Sequence, residues 1–65
     1  MTFADQLRFY RDELRLTQAE LAKELEVPER TLWDWEKGNT VPWKIAREGA
    51  ISRLEHLRQT RKVRQ

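Results

Sequence analysis

Residues 14–43, LRLTQAELAKELEVPERTLWDWEKGNTVPW, constrain the fold most, because they encode two short helices with hardly any chain between them. Thr17 and Glu20 have the spacing of a capping box, in which each side chain accepts a hydrogen bond from the backbone N–H of the other residue. Such a box predicts that a helix begins directly after Thr17. Only residues 26–27 are left for the turn that follows this helix.

The second helix of this stretch is predicted to begin at Pro28, because proline has a fixed φ and no N–H and so suits a first helical turn. It is predicted to end at Lys37, because Gly38 can adopt the left-handed conformation that closes many helices. Together the two predictions give a helix, a tight turn and a second helix over residues 17–37.

Apolar residues at helical spacing flank this unit on both sides. Before it, one face of a first helix is formed by Phe3, Leu7, Tyr10 and Leu14, and Thr2 is a plausible N-cap with Asp5 three residues later. After it, a second apolar face is formed by Trp43, Ala46, Ala50, Leu54 and Leu57. Gly49 interrupts this face, so either one long helix or two short ones fit the pattern.

No strand pattern is present, and the fold class is predicted to be all-α, a bundle of four to five helices. We expect a domain over residues 1–58, in which segment 43–58 serves dimerisation, and a basic, frayed tail over residues 59–65. A chain of 65 residues buries little surface, so a second copy is expected to supply more burial.

Composition argues against several functions. The chain has no cysteine and a single histidine, His56, so we expect no enzymatic activity, no metal and no cofactor. No apolar run has the ~20 residues that a membrane span needs, and a cytoplasmic protein without a membrane or small-molecule partner is expected. Residues 29–65 hold nine basic and five acidic side chains, whereas residues 1–28 hold four and six. This polarity favours an anionic partner for the second half.

The sequence closely resembles the phage-repressor and Cro type of helix-turn-helix protein, a module also found in antitoxins and small autoregulators. The resemblance rests on LTQAELA at 16–22, Val27, Thr31-Leu32, WEKG at 35–38 and Pro42. It implies a fold of the lambda-repressor-like type. Two residues depart from the family pattern, because Glu26 stands where glycine is usual and Pro28 replaces the usual serine or threonine cap.

The exposed face of the second helix of this unit is expected to contact DNA bases through Arg30, Glu29, Trp33 and Asp34. Arg30 is the strongest candidate, because arginine can bind O6 and N7 of guanine together. Glu29 and Asp34 either accept from cytosine, or exclude other sequences, or hold Arg30 in position. Trp33 either covers a thymine methyl group or the DNA backbone, as the resemblance favours, or packs on protein.

Phosphate contacts are expected from residues around the same helix, namely Gln18, Lys37, Asn39, Thr40 and Lys44. For the turn at residues 39–40, the resemblance implies outward-facing backbone N–H groups. Such contacts fix the position of the protein on DNA without reading its sequence. The resemblance also implies a structural ion pair between Arg11 and Glu36.

These residues predict a sequence-specific DNA-binding transcriptional regulator that binds double-stranded DNA at an inverted-repeat operator. The resemblance points to a homodimeric autorepressor of a phage or mobile-element operon, a group that includes anti-CRISPR-associated regulators. Dimerisation is expected through Ile51, Leu54 and Leu57. The alternative is an antitoxin that binds a toxin protein as well as operator DNA.

Overall fold

Four helices follow one another along the chain: α1 (Phe3–Leu14), α2 (Gln18–Glu24), α3 (Glu29–Lys37) and α4 (Lys44–Val63). The structure is a computed structural model that describes the backbone of residues 1–63 and the side chains of residues 1–60. No strand occurs within residues 1–63. The predicted all-α bundle is confirmed, with four helices.

Capping boxes begin both α1 and α2. At α1, the hydroxyl of Thr2 accepts from the N–H of Asp5 at 3.1 Å, and the Asp5 carboxylate accepts from the N–H of Thr2 at 3.2 Å. At α2, Thr17 and Glu20 make the same two hydrogen bonds at 3.1 and 2.8 Å. Both helix starts predicted from the sequence are confirmed, and each box satisfies two N–H groups that a helix leaves unpaired.

The turn between α2 and α3 differs from the prediction by one residue. Pro28 has an extended backbone (φ −61°, ψ 146°) and is the N-cap of α3, so the helix begins at Glu29 rather than at Pro28. The Pro28 carbonyl still accepts from the N–H of Leu32 at 3.1 Å. Glu26 has a φ of +57°, the left-handed conformation that glycine adopts without strain. The two departures from the family pattern therefore lie within one tight turn.

The core takes one fully buried leucine from each helix, Leu7, Leu21, Leu32 and Leu54. The dimerisation role predicted for Leu54 is therefore wrong, because its side chain is 0% exposed and belongs to the monomer core. Leu57 is half-buried and packs against the same core. Ile51 is also only half-exposed. Of the predicted apolar face of α4, Leu54 and Leu57 are thus used within the chain.

Helix α4 is continuous over its 20 residues, and Gly49 does not break it. The helix includes residues 59–63, where a frayed tail was expected, whereas residues 64–65 lie outside the described part of the chain. Trp43 and Ala46, at the start of the predicted apolar face, are both exposed, Trp43 by 80%. Trp43 precedes the first residue of α4, at the end of the helix away from the leucines of the core.

Polar contacts fasten α4 to α1. The hydroxyl of Tyr10 donates to the carboxylate of Glu55 at 2.6 Å. The guanidinium of Arg58 lies 3.4 Å from the Glu13 carboxylate and 3.3 Å from that of Glu55. The Tyr10–Glu55 and Glu13–Arg58 contacts each join residues 45 positions apart in the sequence and connect α4 to α1.

Candidate nucleic-acid interface

Helix α3 has one buried face and one exposed face, as a helix of nine residues at the surface requires. Leu32 and Glu36 are buried against the rest of the molecule. Glu29, Arg30 and Trp33 are exposed on the other side, and Lys37 continues this surface to the end of the helix. Of the four residues predicted to contact bases, three therefore share an open helical face.

Trp33 is flanked by two cations along this face. The Arg30 guanidinium carbon lies 5.8 Å from the centroid of the Trp33 ring, and the Lys37 ammonium nitrogen lies 5.2 Å from it. Both distances are within the range of cation–π attraction. The Trp33 side chain is 39% exposed, so an apolar ring and two positive charges reach solvent together.

Asp34 lies at the edge of this face and makes contacts within the chain. Its carboxylate is 4.0 Å from Nε of Arg30, whose side chain is 83% exposed. The side-chain amide of Asn39 donates to the same carboxylate at 3.5 Å. The Asp34 carboxylate therefore has two partners within the chain, Arg30 and Asn39.

Gln18 lies beside the base-contact candidates. Together with Glu29, Arg30 and Trp33, it lines a shallow open depression of about 440 Å³ between the start of α2 and the exposed face of α3. This proximity brings a predicted phosphate contact and three predicted base contacts onto one surface. A nucleic acid that lay along α3 would therefore also reach Gln18, the first residue of α2.

The turn after α3 differs from the expectation in one backbone N–H group, that of Asn39. Gly38 has the predicted left-handed conformation (φ +79°), and the N–H of Asn39 donates to the carbonyl of Asp34 at 3.0 Å. This bond closes the helix, so the Asn39 N–H is not available to a phosphate as the resemblance had implied. Thr40 and Lys44 are exposed beyond it. A phosphate contact from Asn39 would therefore use its side chain.

Arg11 and Glu36 hold the inner side of α3. Nη2 of Arg11 lies 3.1 Å from Oε1 of Glu36, and the Glu36 side chain is only 6% exposed. Sequence analysis missed a second arginine here, because Arg8 donates to the backbone carbonyl of Glu36 at 2.7 Å. Its position one helical turn before Arg11 was the available signal. Both arginines therefore connect α1 to the last turn of α3.

Among the described residues, no three His, Asp or Glu side chains are grouped as metal ligands. No described helix combines the length and the apolar character that a membrane span requires.

Comparison with known families agrees with this geometry. A family model described as a helix-turn-helix domain matches residues 2–56, which span α1, α2, α3 and most of α4. No curated protein and no solved structure matches the chain significantly. Because the matched segment covers most of the 65 residues, the chain belongs to the helix-turn-helix family of DNA-binding regulators.

Proposed function

We propose that this chain is a sequence-specific transcriptional regulator that binds an inverted-repeat operator as a homodimer. The observation that carries the proposal is the exposed face of α3, where Arg30, Trp33 and Lys37 lie side by side. A helix of this size fits the major groove of DNA, where base edges differ in their hydrogen-bonding groups.

Arg30 is the residue that reads a base. Its side chain is the most exposed among the described ion-paired arginines, and its Nε lies 4.0 Å from the Asp34 carboxylate. An exposed arginine on a helix in the major groove binds O6 and N7 of guanine through two hydrogen bonds. Trp33 then offers its apolar ring to a neighbouring thymine methyl group or sugar, and Glu29 accepts from a cytosine amino group.

Phosphate contacts position this helix on the duplex. Lys37 lies at the end of α3 beside Trp33, and Gln18 lies across the shallow depression from Arg30. The side chains of Asn39, Thr40 and Lys44 are exposed along the chain that leaves α3. These groups add affinity that depends on salt but carry no information about sequence.

The regulator acts as an autorepressor of a small operon of phage or mobile-element type. The support for this part is the resemblance of residues 16–42 to phage repressors and Cro proteins. Two copies on a two-fold operator would double the number of base contacts that one α3 can make. A dimer would also bury more apolar surface than a chain of 65 residues can bury alone.

Selection of binding sites from a randomised pool of duplex DNA tests the proposal. We expect an inverted repeat whose half-site centres lie about one helical turn, ~34 Å, apart. Titrations on the selected site and on single-base substitutions should then show unequal affinities. Recovery of no preferred sequence, with equal binding to every duplex, would contradict a sequence-specific regulator.

A further inference from the structure

An open groove runs along one side of α4. It lies between α4 and the turn that joins α2 to α3, and its volume is about 290 Å³. We call it the α4 groove. Its apolar walls consist of Leu25, Val27 and Trp35 on one side and Ala46, Gly49 and Ala50 on the other. The small side chains of α4 keep this groove open to an approaching surface.

No contact within the chain requires a glycine at position 49, which lines this groove. A Cβ atom at this position would meet no other atom within 4 Å, so packing inside the monomer does not exclude a larger residue. Glycine also weakens a helix interior relative to alanine. A helix backbone without a side chain allows another helix to come unusually close.

The two walls of the groove carry opposite charges. Glu24 and Glu26 belong to the wall beside the turn, whereas Arg53 belongs to α4. Arg53 lies 3.5 Å from Glu24, which leaves Glu26 without an ion pair among the described side chains. A surface with one acidic and one basic wall is complementary to itself after a two-fold rotation, because each acidic wall then meets the basic wall of the other copy.

Two exposed apolar side chains come shortly before the groove residue Ala46 in the sequence. Trp43 is 80% exposed and Ile45 is 78% exposed. Large exposed apolar side chains are typical of surfaces that are covered in an assembly.

We propose that the second copy of this chain docks in the α4 groove, with the two α4 helices crossing near Gly49. Arg53 of each copy then pairs with Glu26 of the other. The proposal rests on the homodimer of the proposed function and moves its interface away from Leu54, which is buried in the monomer.

Sedimentation equilibrium of three chains tests the crossing point. Gly49→Gln fills the groove with a neutral side chain, and Ser52→Gln places the same side chain at an exposed position of α4 that does not line the groove. Overpacking of the crossing should weaken dimerisation by about tenfold or more in Gly49→Gln. Ser52→Gln should dimerise like the parent chain. Thermal melts of dilute, monomeric protein should show Gly49→Gln at least as stable as the parent, which separates lost docking from lost folding.

Charge reversal tests the orientation. Glu26→Lys and Arg53→Glu should each weaken the dimer, and the chain that carries both changes should dimerise more tightly than either single variant. Glutamate and lysine both carry a Cβ atom, which makes the positive φ of residue 26 unfavourable to the same degree. Glu26→Lys therefore leaves the backbone strain unchanged.

The outcomes distinguish this proposal from the function on which it rests. A dimer that is insensitive to all of these changes would overturn docking in the α4 groove and leave the homodimer intact. A parent chain that is monomeric both free and on its selected DNA site would overturn both the groove and the homodimer, while sequence-specific binding would stand. A dimer that responds as expected but binds no DNA would refute the proposed function alone.

Discussion

The carboxylate of Glu36 on α3 lies 3.1 Å from the guanidinium of Arg11 on α1. The Glu36 side chain is 6% exposed, and its second oxygen, Oε2, has no hydrogen-bond partner among the described residues. Arg11 is a third exposed, so the pair is buried on one side only. This contact joins the helix proposed to read DNA to the helix that supports it.

Glu36→Ala should lower the free energy of unfolding by about 2 kcal/mol, between the values typical of exposed and of fully buried ion pairs. The loss arises because Arg11 stays partly buried without its partner. Denaturant unfolding measures it. Glu48→Ala is the matched control, because Glu48 is an exposed residue of α4 without an ion pair among the described side chains, and its effect should stay within ~0.5 kcal/mol. A melt of Glu36→Ala identical to that of the parent would show that the contact contributes nothing.

Arg30→Ala should reduce affinity for the selected operator by about 1–3 kcal/mol and remove the preference at one base pair per half-site. The reason is the loss of two hydrogen bonds to one base. Titration on the operator and its single-base substitutions measures this change. Equal loss on every sequence would assign base reading to another residue of α3.

Lys37→Ala should weaken binding to all sequences alike, because an ammonium group near phosphate carries no base information. The dependence of log affinity on log salt should become shallower by about one unit per lost contact. Titrations at several salt concentrations provide the measurement, with Arg30→Ala as the comparison. An unchanged salt slope would mean that Lys37 does not touch phosphate.

Glu26→Gly should stabilise the monomer by about 0.5–1 kcal/mol, because the strain of φ +57° in an L-residue exceeds the extra entropy that glycine gives the unfolded chain. Arg15→Gly, at φ +55° after α1, should act in the same direction. Glu48→Gly, inside α4, should instead cost about 1 kcal/mol. Dilute thermal melts compare the three, and destabilisation by Glu26→Gly would show that its side chain contributes more than its strain costs.

The contact between Tyr10 and Glu55 should make stability depend on pH. The hydrogen bond from the Tyr10 hydroxyl lowers the pKa of Glu55, so the unfolded chain takes up a proton on this carboxyl before the folded chain does. The contribution is therefore fully present above the ordinary pKa of Glu55 and is lost as pH falls through its lowered pKa.

Tyr10→Phe removes this hydrogen bond but keeps the aromatic ring that packs edge to face on Phe9. The difference in melting temperature between parent and variant should be largest near neutral pH and should shrink in acid. Thermal melts across a pH series measure it. The shifted pKa of Asp5 is common to both chains and cancels in the difference. A constant difference at all pH values would contradict a role for ionised Glu55.

Helix boundaries could be predicted from the sequence, because they depend on local signals. The capping residues Thr2 and Thr17 and the terminating Gly38 act within one turn of chain, and the structure agrees with all three. Pro28 was misplaced by one residue, since its fixed φ is compatible with both the N-cap and the first helical position.

The outer surface was harder to predict, because apolar spacing does not say which residues find a partner. Leu54 and Trp43 share the predicted face of α4, but only Leu54 reaches the core, since Trp43 lies before the helix begins. The backbone N–H of Asn39 illustrates the same limit at the proposed interface. Its hydrogen bond to Asp34 depends on how the helix closes, which the residue types alone do not determine.

Helix α1 packs against both α3 and α4, whereas α2 packs mainly on α3. The position of the proposed DNA surface relative to the α4 groove is therefore fixed largely by α1, a helix of 12 residues. Amide hydrogens at the centre of α1 would then exchange with solvent only when the whole chain unfolds, while those of α2 exchange through smaller openings. Binding to an operator with a fixed distance between its half-sites thus depends on the rigidity of α1, although α1 need not touch the DNA bases.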